Sequence, residues 1–164
     1  MSVVEVISGF GNEGVRETTG LDLNIRYMIE TDFGDFRSNF QTFYGLSDKV
    51  DGGRNFYNDP GQPDYRGVWS NIYSVGDFDV AYNLNFIAST AEDIVDGLDD
   101  GHIPSWITHD LQVNYNASWN AKITIGASNL TGKEPPLFGF DGRDYNFNLY
   151  DGYGRVVYAR YTQS

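Results

Sequence analysis

Chemistry is sought first where residue types and spacing would permit it. The run GFGNEG at 9–14 has the G-x-G-x-x-G spacing that cradles a dinucleotide pyrophosphate, and Glu30 or Asp32 stands about where a ribose-binding acid would sit. That mechanism requires the third glycine to open a helix whose N-terminus holds the phosphates. Thr18, Thr19, Gly20 and a strict period of two come next instead, so the run reads as a turn. The acidic stretches DKVDGGRNFYND and EDIVDGLDDG offer oxygen donors of the calcium-binding kind, with Asp48, Asp51, Asp96, Asp99 and Asp100 as candidate ligands. Neither has the D-x-[DN]-x-[DN]-G spacing with a distal Glu, and both read as solvated loops.

His102 falls in a loop and His109 on the apolar side of a strand, with no second His or Cys at ligand spacing, so no metal site is expected. No nucleophile-elbow pattern is present. The sequence predicts no enzyme, no catalytic residue and no cofactor. The triplets at 116–118 and 129–131 match glycosylation sequons, a pattern too common to carry weight.

Composition narrows the class further. The 164 residues suit a single unit spanning 1–164. A net charge of −12 with no Lys/Arg cluster argues against nucleic acid as a partner. Cysteine is absent, which removes disulfides and thiolate chemistry while leaving the compartment open. Mean hydropathy is −0.43, and no apolar run approaches the ~20 residues of a membrane helix. A transmembrane barrel strand is apolar only at alternate positions and is compatible with that average. The 12 Tyr, 11 Phe and 19 Gly against 5 Pro favour strands and tight turns.

The elements are set by alternation. In GLDLNIRYMIET, Leu21, Leu23, Ile25, Tyr27 and Ile29 alternate with Asp22, Asn24, Arg26, Met28 and Glu30, which gives a strand one apolar and one polar face. Similar patterns predict eight strands beginning at residues 3, 16, 36, 65, 78, 106, 119 and 154, mostly joined as antiparallel hairpins. Connections are short at 31–35, 75–77 and 116–118 and long at 45–64, 89–104 and 131–149. Compact soluble domains rarely carry several such loops, whereas outer-membrane barrels alternate short periplasmic turns with long external loops. A soluble sandwich alternates equally well, so periodicity alone leaves lipid and core both open. Loop asymmetry and the aromatics Tyr44, Tyr65, Trp69, Trp106, Tyr115 and Trp119 near strand ends favour the membrane. MSVVEVISGF shows no signal peptide, so either the chain is cytosolic or its beginning is missing, and Val3 to Ile7, which reads as mid-strand, favours the second.

The C-terminal third carries a resemblance. DLQVNYNASWNAKITIGASNLTGKEPPLFGF and LYDGYGRVVYARYTQS resemble the last barrel strands of TonB-dependent outer-membrane receptors. The matching residues are Asp110, Tyr115, Trp119, Asn120, Gly126, Asn129-Leu130, Pro135-Pro136, Tyr150-Asp151 and Gly154-Arg155. ETTGLDLNIRY is similar to an upstream strand of that family. The resemblance implies an all-β fold: an antiparallel up-and-down transmembrane β-barrel segment, about eight strands of a 22-stranded barrel. It implies the outer membrane of a Gram-negative cell, lipid as a partner, and active import of an iron chelate, a vitamin or an oligosaccharide. The plug domain and coupling motif that meet the TonB system are absent, and Ser164 stands at the end where the family usually has an aromatic. The family's orientation puts the long loops outside, which makes Tyr57, Asn58, Phe138, Phe140 and Tyr145 candidate substrate contacts. Two other readings stand beside it: a small self-contained outer-membrane barrel, and a soluble sandwich binding carbohydrate through loop aromatics.

Overall fold

Alternating apolar and polar residues with β-branched and aromatic side chains suit a pleated strand, and seven long strands form from them. They are β1 (Arg16–Thr31), β2 (Gly34–Val50), β3 (Tyr65–Val75), β4 (Phe78–Ile87), β5 (Trp106–Ala117), β6 (Ala121–Ser128) and β7 (Val156–Gln163). The computed structural model describes residues 14–92, 94–95, 98–99, 101–137 and 144–163, so the strand expected at Val3 lies outside the described residues. All seven strands join one antiparallel sheet in chain order. The sheet is open: β1 and β7 are its edges and do not close it into a barrel. Among the described residues there is no helix, and the chain passes from Gly14 directly into β1.

Register turns alternation into two faces. Ile25 pairs with Phe40, Phe40 with Trp69, Trp69 with Leu84 and Leu84 with His109, so the apolar sides of five strands share one surface. Val113 pairs with Ile125 and Ile125 with Ala159, which continues that surface to the far edge. It lies open, with Ile25 53%, Ile125 59% and Val157 71% exposed. The polar face is open on β1, where Asp22, Asn24 and Arg26 are exposed, and covered along β5 and β6, where Thr108, Asn114 and Thr124 are all buried. There Thr124 Oγ1 and Gln112 Nε2 both donate to Asn114 Oδ1, at 2.8 and 3.0 Å, and Tyr158 donates to Gln112 Oε1 at 2.9 Å. A Cβ at Gly126 would come within 2.6 Å of the Tyr158 ring, so this glycine is what lets the tyrosine lie flat across the sheet.

Two expectations need correction. The residues 45–50, expected in a loop, extend β2, and the connection proper is 51–64. The cause is a bulge: Gly20 pairs with Gly45 but Thr19 with Ser47, leaving Leu46 as an extra residue. One extra residue reverses which face each later side chain meets, so the alternation seemed to end at Tyr44. The expected loop 89–104 contains two short ladders, Thr90–Ala91 with His102–Ile103 and Ile94–Val95 with Leu98–Asp99. The expected strand starts at 36, 119 and 154 fall at Gly34, Ala121 and Val156.

Candidate functional site

The long connections gather at one end of the sheet, where the candidate contact residues lie. The bulge brings Asp48 opposite Thr18 and beside Arg16 on the polar face. Arg16 holds both oxygens of the Asp48 carboxylate, Thr18 Oγ1 donates to it at 3.1 Å, and Asn55 Oδ1 accepts from the Asp48 amide at 2.8 Å. The Arg16 hydrogen bond holds the Asp48 carboxyl below the ordinary carboxylate value, although burial pushes the other way. This clasp ties the first loop to its hairpin through Phe56, whose amide donates to the Asp48 carbonyl at 2.8 Å. Asp48 is thus engaged by protein donors, and Asp51 accepts from the Val15 amide at 2.8 Å. Asp96 and Asp100 lie outside the described residues, as does the Asp99 side chain. Among the described residues no group of three metal-ligating side chains forms.

Tyr57 lies over Gly45, where a Cβ would collide with its ring, and tilts against Phe43 at 6.2 Å between centroids. It is half-buried, and desolvation raises its pKa. The ring of this candidate contact residue packs onto the sheet, because glycine at position 45 leaves a seat for it. Asn58 takes a positive φ of 76° and joins two loops: its carbonyl accepts from the Ala91 amide at 2.8 Å.

The second and third loops meet in a small apolar cluster on the polar side of the sheet. Ile103, Trp106 and Tyr150 are buried together, with Ile87, Tyr145 and Leu149 packed against them. Trp106 meets Tyr150 edge-on at 5.6 Å and donates from Nε1 to the Glu134 carbonyl at 3.1 Å. Local alternation could not foretell this, because it joins residues far apart in the chain. Tyr145 belongs to the cluster and, with Asn148, Asp151 and Tyr153, borders a hollow of about 620 Å³. Tyr57 and Asn58 sit on the first loop and Tyr145 on the third; Phe138 and Phe140 lie outside the described residues. The hollow offers aromatic faces, an amide and a carboxylate, which suits noncovalent recognition of a polar solute.

Several residues that carry the family resemblance bond to one another. Asp110 Oδ1 accepts from the Asn129 amide and Asp110 Oδ2 from Asn85 Nδ2, at 2.8 and 3.0 Å. The Asn129 side chain then closes the start of the third loop through two 2.8 Å bonds with the Lys133 backbone. Tyr115 meets Trp119 edge-on across the β5–β6 turn. Comparison with protein-family models, curated proteins and solved structures found no match.

Proposed function

We propose that this chain is a length of transmembrane barrel wall, the C-terminal part of a TonB-dependent receptor in the outer membrane of a Gram-negative cell. One observation carries the reading: large apolar side chains from Leu21 to Val157 are exposed on one face, while on the opposite face of β5 and β6 the polar Thr108, Asn114 and Thr124 are buried in hydrogen bonds. A soluble sandwich buries its apolar face, and a barrel strand turns it to lipid with polar residues toward the lumen. The apolar face is bordered at both ends by touching aromatic rings, Tyr44–Tyr65–Phe86 at one and Phe78–Tyr115–Trp119 at the other. Such rings suit the two membrane interfaces. β3 has 11 residues and β4 has 10, lengths that suit a tilted strand crossing hydrocarbon.

An open edge is not tolerated in hydrocarbon, so β1 and β7 each require a neighbouring strand. Self-closure fits poorly, since β1 has 16 residues and β7 has 8. Further strands of a larger barrel fit better. The role is then active import of an iron chelate, a vitamin or an oligosaccharide, with the TonB system engaged through a plug and Tyr57, Asn58 and Tyr145 on the external side.

Cysteine scanning of residues 21–29 tests this. In membranes, Leu21, Leu23, Ile25, Tyr27 and Ile29 replaced by Cys should react with a lipid-dissolved maleimide, and Asp22, Asn24 and Arg26 with a water-soluble one. A soluble protein in which the odd positions are shielded from both reagents would refute the reading.

A further inference from the structure

The hollow bordered by Tyr145 and Tyr153 is built by one compact turn of the third loop. Asn146, only 5% exposed, folds that turn: its side-chain oxygen accepts from the Asn148 amide at 3.0 Å, and its carbonyl accepts from the Leu149 and Tyr150 amides at 3.1 and 3.0 Å. Tyr145 lies across Gly152, where a Cβ would collide with its hydroxyl, and Asp151 Oδ1 accepts from the Tyr153 amide at 2.9 Å. The walls are thus fixed by protein bonds before any solute arrives, which lowers the cost of binding one. Tyr150 beneath is seated against Trp106 on the polar side of the sheet, so in a barrel wall the hollow opens at the lumen mouth. The turn leaves two lining rings on display, Phe147 at 49% and Tyr153 at 87% exposure, beside the exposed Asn148 amide.

We propose that this hollow is a subsite for a neutral saccharide; the proposal rests on reading the chain as receptor wall and chooses among the three classes of cargo. Charge decides against an anion. Among the described residues that line the hollow none is cationic, and Asp151 supplies a negative charge. The second loop, 89–104, meets the third through Ile103 and carries five carboxylates with no lysine or arginine. Ferric catecholate and carboxylate chelates are anions, which such a field repels. A sugar ring carries no charge and has C–H groups on its faces and hydroxyls around its rim. The C–H groups suit the electron-rich faces of Phe147 and Tyr153. The hydroxyls can both donate and accept, so they match the Asn148 amide and the Asp151 carboxylate together.

The test is calorimetric titration of the full-length protein in detergent with short neutral oligosaccharides of glucose, xylose, mannose and galactose. At least one should bind, with an affinity that added salt leaves unchanged, since no charged pair is formed. Tyr153→Ala and Phe147→Ala should each weaken it about five- to tenfold, and Tyr153→Phe should keep it within about twofold, because the ring face and not the hydroxyl makes the contact. No binding of any of these sugars up to about 1 mM overturns the proposal, as does saccharide binding indifferent to both alanine substitutions. Binding of a ferric chelate or of cobalamin that Tyr153→Ala weakens also overturns it. Leu23→Cys labelled from the lipid phase without saccharide binding refutes only the subsite. No lipid-phase labelling at Leu23 refutes the membrane reading itself, whatever the sugars do.

Discussion

A single arginine placed at different positions along β1 separates lipid from core by magnitude. Ile25 is midway between Leu21, whose partner Tyr44 belongs to an aromatic border, and Ile29 near the turn. At the middle of a bilayer, Ile25→Arg should cost about 2–4 kcal/mol, and at the interface Leu21→Arg about 0–1 kcal/mol. The first cost is roughly 30- to 900-fold in the folded-to-unfolded ratio. In water the expectation differs, because Ile25 is already 53% exposed. Only about half of the ~1.5–3 kcal/mol for full burial of such a side chain is then at stake, on the order of 1 kcal/mol. Asn24→Arg, one residue away on the polar face, should change little in the membrane. The assay is urea titration of the full-length protein refolded into lipid vesicles, with the folded fraction read from its gel mobility before heating. Equal costs of about 1 kcal/mol or less at residues 21, 24 and 25 would sink the assignment of this face to acyl chains.

The packing sets three further outcomes. Because the Asp48 carboxyl is held below its ordinary value, the clasp is fully present above about pH 3.9 and lost as pH falls through the lower folded value. Hydrogen exchange at the Phe56 amide should therefore accelerate only in that acid range, and Asp48→Asn should make it fast at neutral pH too. Gly126→Ala should destabilise by about 1–3 kcal/mol through collision with Tyr158, and Tyr158→Ser should recover part of the loss in the double variant, measured by denaturant unfolding. Tyr150→Phe should be neutral or stabilising by about 1 kcal/mol, since the buried hydroxyl finds no partner among the described residues, whereas Trp106→Phe should cost about 1–3 kcal/mol by orphaning the Glu134 carbonyl.

Much of the sheet was legible because a period of two fixes both conformation and facing. The alternation of Leu21 through Ile29 matches β1, and that of Phe78 through Phe86 matches β4. What stayed hidden involved a change of parity or a distant contact. Leu46 shifts the register by one, so Asp48 read as loop although it stands in a strand. The seat of Tyr57 over Gly45 was hidden too, because nothing in its own stretch reveals that Gly45 leaves room beneath it. The Trp106–Tyr150 contact joins the first residue of β5 to the end of a connection whose local composition shows only turns and polar chain. Periodicity identified the apolar face, but the burial of Thr108, Asn114 and Thr124 on the opposite one depends on cross-strand partners that no single stretch displays.

Bonds around the long loops run through main-chain atoms at several points: Asn58 carbonyl to Ala91 amide, Trp106 to the Glu134 carbonyl, and Leu130 amide to the His109 carbonyl. A main-chain atom is present whatever side chain the codon specifies. Drift at the exposed position 134 can therefore change its side chain while the bond to Trp106 persists, whereas Ala91 is fully buried and the φ of 76° at Asn58 disfavours most other residues. The side chain at 134 is then free to vary on an unchanged frame, provided that the anchoring Trp106 is kept. Libraries randomised at position 134 should retain folding far more often than libraries randomised at 103, 106 or 150.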